Sequence, residues 1–325
     1  MIKELFDKAI SGTPLSTEDG LSIASIHNSD VFELFLWANK LRERFRKHYI
    51  DLCSIVNAKS GLCPEDCSYC AQSSVSKAEI ERYPLAPKSL ILKKAEEAKA
   101  SGAKRFCIVT SGKKPTPKEL DKILSMISDI RKIGLLPCAT LGILDEDELT
   151  ALKESGLERY HHNIETSERF FPEICSSHTY KDKIKTIEKV KKVGLSLCSG
   201  GIFGLGEEWS DRVEMAITLR GLGADSIPIN FLIPVKGTRL EGLDLLEPLE
   251  ALKIISLFRY MLPEKEIRVC GGRAQTLGEL NSFVFFSGAD GLLIGNYLTT
   301  KGRSPEADLK LIKTLGGIIS LPKWG

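Results

Sequence analysis

The chain has 325 residues, 42% of them hydrophobic, enough to bury one large core or two modest ones. Its 45 basic and 43 acidic residues are spread evenly and leave a net charge of +2, which marks neither a nucleic-acid partner nor an anionic membrane surface. No run approaches the roughly 18 apolar residues of a membrane span, and the charged segment Met1 to Ile10 does not read as an export signal, so a soluble cytoplasmic chain is expected.

Up to about Lys47 the sequence reads as helices, an N-terminal extension over residues 1–47. Asp30 is predicted to cap a helix over residues 31–46, where Val31, Leu34, Phe35, Ala38, Leu41 and Phe45 recur at helical spacing. From Tyr49 the pattern changes to short β-rich runs alternating with amphipathic helices. Strands are predicted from Asp51, Arg105, Leu136, Tyr160, Ser196, Ser226, Ile267 and Gly291. The intervening helices are predicted over 90–101, 117–133, 145–155, 180–193, 210–222, 248–261 and 276–287. Most end near a glycine (Gly102, Gly134, Gly156, Gly194, Gly223 and Gly288), as suits a helix C-cap. Eight strand–helix units predict an α/β fold in which residues 48–325 form a closed (β/α)8 barrel of the TIM type with a C-terminal tail, its chemistry at the strand C-terminal ends. An open doubly wound sheet is the alternative, but it would want a glycine-rich dinucleotide fingerprint after the first strand, and none is present.

The first strand leads instead into Cys63-Pro-Glu-Asp-Cys67-Ser-Tyr-Cys70, a C-x3-C-x2-C spacing. A closed zinc site wants four ligands, and no fourth Cys or His lies nearby. Three thiolates in one short loop suit a cubane iron–sulfur cluster with one iron left open to substrate. Nine cysteines, an odd number in a chain long enough not to need disulfides, favour metal-binding thiolates. Cys107, Cys138 and Cys198 sit on the second, third and fifth predicted strands. Singly each reads as a core thiol, but inward-facing residues of a barrel converge on one axis. Arg273 comes just after the seventh strand, where a buried guanidinium needs an anionic partner.

These residues carry a resemblance. The triplet, with Tyr69 in its aromatic place, resembles the radical S-adenosylmethionine superfamily. Residues 63–74, Thr140-Leu-Gly142, His162-Asn163, residues 198–207, Pro228-Ile-Asn230, Val235-Lys-Gly-Thr238, Gly272-Arg273 and residues 295–300 narrow it to the biotin synthase family, over nearly the whole chain from Lys47. The resemblance implies that Cys63, Cys67 and Cys70 hold a 4Fe-4S cluster whose open iron binds S-adenosylmethionine. It implies that Cys107, Cys138, Cys198 and Arg273 hold a 2Fe-2S cluster that donates sulfur to dethiobiotin, closing the ring of biotin. It also assigns Tyr69, Ser111, Glu165, Lys183 and Gly204 to the cofactor, and Asn163, Asn230 and His161 to the substrate. Glu165 stands where some members have Asp, Lys183 where some have Arg, and His161 where some have Asn. A flavodoxin or ferredoxin donor and a homodimer are implied in the same way.

Cys53, Cys175 and Cys270 read as packed thiols, and His27, His48 and His178 as surface or packing residues. His162 orders the site around Asn163 or is a core histidine bonded to backbone. Two further readings fit parts of the pattern. A cofactor maturase of the same barrel class shares the triplet but need not keep the second set, and a zinc or structural metal protein needs no chemistry at all.

Overall fold

The computed structural model describes residues 1–319. Ten strands occur there: β1 (Tyr49–Lys59), β2 (Arg105–Thr110), β3 (Leu136–Thr140), β4 (Arg159–His161), β5 (Ser196–Cys198), β6 (Gly201–Phe203), β7 (Ser226–Phe231), β8 (Glu266–Val269), β9 (Gly291–Leu293) and β10 (Ile318–Ile319). Eight of them run in the order β1-β2-β3-β4-β5-β7-β8-β9, every pairing is parallel, and β9 returns to β1 to close the barrel. The fifth predicted strand is split by Gly200: β5 pairs β7 at its start, and β6 continues along β7 beyond the break. The short β10 pairs the beginning of β1, and the last six residues of the predicted tail lie outside the described ones.

Local sequence explains the helices. Thr116 caps Pro117–Ile133 with a reciprocal box to Glu119, Pro117 occupies the first turn, and Gly134 ends the helix at φ 92°. The other five glycines expected at helix ends also have positive φ. Two expectations need correction. Asp30 stands at the N-cap of Val31–Arg46 but its side chain caps nothing, because its backbone is already helical (φ −108°, ψ 0°) instead of extended. The helix expected over 276–287 is instead Arg273–Leu277 and then a 3-10 turn over Gly278–Val284, since Gly278 leaves helical space at φ 47°, ψ −123°.

Three helices, Ile2–Ile10, Thr17–Ala24 and Val31–Arg46, precede the barrel and pack on its outer helices Trp209–Gly221 and Pro248–Met261, sharing one hydrophobic core with them. Pro248–Met261 is therefore buried on all sides from Ala251 to Met261. Asp290, just before β9, ties these layers: Arg46 and Arg259 each donate to it at 2.5 Å, and all three are buried. Among the described residues no helix is long and apolar enough to cross a membrane.

Candidate active site

Strand alternation decides what the barrel interior contains. On β2, Arg105, Cys107 and Val109 share the inward face. On β8 and just beyond it, Arg268 and Cys270 do. Cys53 on β1, Cys138 on β3, Arg159 and His161 on β4, and Cys198 on β5 complete the ring, and all of these line one cavity of about 420 Å³. The register staggers them around the barrel: Cys53 pairs Arg105, Cys107 pairs Cys138, Cys138 pairs Arg159, and His161 pairs Cys198. Cys53, Cys107, Cys138 and Cys270 pack as one buried group.

Below the thiols lies an ion network. Arg159 donates to both oxygens of Glu266 at 3.2 Å, Arg268 donates to Asp51 at 2.9 Å and also to Glu266, and Arg105 lies 3.8 Å from Asp51. Arg105 also donates to Glu158, so three guanidiniums meet three carboxylates at the floor of the cavity. Burial pushes the Cys53 and Cys198 thiols up to about 12, so they become thiolates only against a cation.

At the upper rim, the loop after β1 doubles back: Cys63 N donates to Gln72 O, Ser74 N to Cys63 O at 2.7 Å, and Cys70 N to Cys67 O. This turns Cys63, Cys67, Cys70 and Tyr69 into the same cavity. Ser111 secures the loop by donating to Gly61 O at 2.8 Å. Opposite, His161 and Asn163 are joined at 2.7 Å. Burial keeps His161 neutral by lowering its pKa, so its Nε2–H donates to Asn163 Oδ1, which also accepts Gly200 N–H at 3.1 Å. Asn163 Nδ2 then donates to Glu165 Oε2 at 3.3 Å, and Lys183 lies 3.9 Å from the other Glu165 oxygen. Asn230 accepts from Gly271 N and donates to Gly201 O, both at 3.0 Å.

Glu165 is held in a left-handed conformation, φ 72°, where a side chain is strained. Its carbonyl sits 2.1 Å from where a Cβ on Gly201 would be, so only glycine admits this approach. The double glycine that splits β5 from β6 thereby lets the chain after β4 place Glu165 over the cavity.

Two expected site residues are elsewhere. Arg273 is fully buried behind β8, where Asp308 takes both its Nη atoms (3.1 and 2.6 Å) and Asn281 accepts at 2.7 Å, so its anionic partner is a carboxylate of the chain. Gly204 does not reach the cavity wall; its N–H closes a turn onto the Glu207 carboxylate at 3.0 Å. Conversely Arg268, Arg105, Arg159 and Cys53 line the cavity and were missed as site residues, and Cys270 lines it beside them. A charged residue inside an apolar strand, two positions from a cysteine, was the available signal.

Residues 59–219 match the family model of the radical SAM superfamily, and residues 228–318 match that of the biotin and thiamin synthesis associated domain. The biotin synthase of Thermodesulfovibrio yellowstonii is 56% identical over 294 residues, 90% of this chain and 93% of that protein. That of Geobacter metallireducens is 46% identical over 316 residues, covering 97% and 96%. The chain belongs to the biotin synthase family. It is accordingly a radical S-adenosylmethionine sulfurtransferase, with a 4Fe-4S cluster, S-adenosylmethionine and a 2Fe-2S cluster as its cofactors. Two solved structures share the fold at low identity. Methylornithine synthase aligns with a TM-score of 0.83 and 18% identity, covering 98% of this chain and 97% of that one. The FeFe-hydrogenase maturase HydG from Carboxydothermus hydrogenoformans gives 0.83 and 19%, covering 98% and 79%.

The cavity fits what a biotin synthase needs. Its rim offers three thiols from one loop and its floor offers thiols from β1, β2, β3 and β5 with cations beneath them. Arg268 Nη1 is buried with no hydrogen-bond partner, a cost that a ligand on the thiol layer relieves.

Proposed function

We propose that this biotin synthase holds its two clusters at the two ends of one cavity, with dethiobiotin between them. The observation that carries the reading is the placement of Cys63, Cys67 and Cys70 at the rim and of Cys107, Cys138 and Cys198 on the floor of a single cavity. Bound there, the four-iron cluster supplies the electron that cleaves S-adenosylmethionine into methionine and a 5′-deoxyadenosyl radical, and the two-iron cluster supplies the sulfur that closes the thiophane ring.

The chain's own residues supply position and dryness. Arg268, and not Arg273, is the guanidinium assigned to the floor cluster with Cys107, Cys138 and Cys198: it lines the cavity, whereas Arg273 lies outside the cavity wall with both Nη atoms held by Asp308. Asn163 keeps one amide N–H free, and Asn230 keeps an N–H and a lone pair. A ureido ring presents a carbonyl and two N–H groups, which those amides complement. His161 acts on the substrate through Asn163, whose orientation it fixes. Tyr69, Glu165 and Lys183 are assigned to S-adenosylmethionine, Glu165 for ribose hydroxyls and Lys183 for the carboxylate as a point charge. Ser111 approaches the methionine end as an acceptor, its proton being committed to Gly61.

The same reading takes residues 1–47 as an extension buttressing a barrel from residue 48, and a cytoplasmic homodimer that draws electrons from a flavodoxin or ferredoxin. Nine free cysteines support a reducing compartment. The experiment is an anaerobic assay of the reconstituted protein with flavodoxin or dithionite, S-adenosylmethionine and dethiobiotin, read by mass spectrometry. Both 5′-deoxyadenosine and biotin are expected; Cys138→Ala keeps the first product and loses the second. Deoxyadenosine without biotin from the parent enzyme, with both clusters intact, contradicts the reading.

A further inference from the structure

Packed against the rim loop is a set of side chains that the proposed chemistry leaves unused, two of which, Glu65 and His178, line the same cavity. Cys175 comes directly after the short helix Phe171–Ile174 and is buried. Its Sγ is 3.8 Å from Cys67 Sγ and 3.3 Å from His178 Nδ1. His178 Nδ1 in turn lies 2.5 Å from Glu65 Oε2, which also accepts from Ser177 Oγ at 2.6 Å. Glu65 and Asp66 are the residues just before Cys67, so this cluster is built directly onto the loop.

The destination of the Cys175 proton is narrowed by the bonds its neighbours already make. Asp66 Oδ1, 3.3 Å away, is one acceptor in reach, although it already accepts the backbone N–H groups of Ser176 and Ser177 at 2.9 and 3.0 Å. His178 Nδ1 faces a carboxylate at hydrogen-bond distance and so carries its own proton, toward Glu65. Ser177 Oγ, 3.5 Å from the thiol, is committed to Glu65 as a donor and is a distant acceptor. Cys67 Sγ is the other acceptor in reach.

We propose that Cys175 is a positioning residue that donates its S–H to the Cys67 thiolate and makes the four-iron cluster easier to reduce, with His178 and Glu65 holding the thiol in place. The proposal rests on Cys67 being a ligand of that cluster. Reduction adds one electron from a low-potential donor; no bond forms or breaks and no proton moves. The added charge spreads onto the ligand sulfurs, so a donor at one of them stabilises the reduced form more than the oxidised one.

The test is an anaerobic potentiometric titration of the reconstituted full-length enzyme with dithionite and mediators, at fixed pH, read by the electron paramagnetic resonance signal of the reduced cluster. Cys175→Ala is expected to shift the midpoint to more negative potential, a roughly fivefold smaller equilibrium constant for reduction, the worth of one ordinary hydrogen bond. Cys175→Ser, which keeps a donor, stays close to the parent. A deuterium-exchangeable proton coupled to the cluster disappears in Cys175→Ala. An unchanged or more positive midpoint overturns the proposal, as does loss of iron from both variants, which makes Cys175 structural. The ligand-capable atoms of Cys67, Cys175 and His178 all lie within 4.8 Å of one another, which also suits one tetrahedral ion; an additional zinc or iron per chain that Cys175→Ser releases overturns it too. If Cys175→Ala alone sheds its cluster, His178→Phe carries the test: a shift in the same direction supports the proposal and none overturns it. Cys67→Ala separates the two levels, since a four-iron cluster retained there removes the ligand assignment itself and the proposal with it.

Discussion

Arg268 and Arg273 lie on one short stretch of chain, and their partners separate their roles. Arg273 satisfies Asp308 and Asn281 in the barrel wall, so Arg273→Met leaves the buried Asp308 carboxylate with Arg303 alone and is expected to cost up to about 3–5 kcal/mol in denaturant melts. The visible spectrum of the floor cluster stays unchanged in the folded fraction. Arg268→Lys keeps the charge above Asp51 but not the fork, and is expected to change that spectrum while the fold survives. The cysteine triplet was legible because its spacing alone implies a ligand set. Arg268 was passed over because the family resemblance at Gly272-Arg273 pointed to the next arginine; the in-and-out alternation through Arg268 and Cys270 is what marks the cavity wall. His162 is a second residue-scale case. It is buried, its Nε2 has no partner, and burial holds its pKa well below the usual value. An unfolded chain protonates it below about pH 6.5 and the folded one does not, so stability rises with pH there and is lost as pH falls. Between about pH 7.5 and 5.5 the parent should lose roughly 1.4 kcal/mol more than His162→Phe, measured by urea unfolding under anaerobic conditions.

At the scale of elements, the eight barrel strands and most helices were readable from alternation, caps and terminal glycines. The exceptions have local causes. The fifth strand breaks at Gly200-Gly201 because the backbone there must pass within reach of Pro228 O and Glu165 O, a tertiary approach that no periodicity encodes. Gly201→Ala is therefore expected to push Glu165 away from the cavity, weakening S-adenosylmethionine binding at least about tenfold by equilibrium dialysis while circular dichroism keeps its helical signal. The contacts that join the N-terminal helices to the barrel were equally hidden, since Arg46, Arg259 and Asp290 lie far apart in sequence. Asp290→Asn removes the anion that Arg46 and Arg259 share and is predicted to lower stability by about 3–5 kcal/mol in a denaturant melt.

For the whole molecule, the barrel explains why one chain carries two sets of thiols. A loop after β1 can present three cysteines at the rim, and only the inward faces of several strands can present others below, leaving a cavity between the two layers. The measurement that tests this most directly is the Mössbauer spectrum of the iron-57-reconstituted enzyme, compared with the variants Cys63→Ala/Cys67→Ala/Cys70→Ala and Cys107→Ala/Cys138→Ala/Cys198→Ala. The account predicts four-iron and two-iron components in the parent, loss of only the four-iron component in the first variant, and loss of only the two-iron component in the second. Loss of both components together from either variant, or one component unaffected by both, contradicts it.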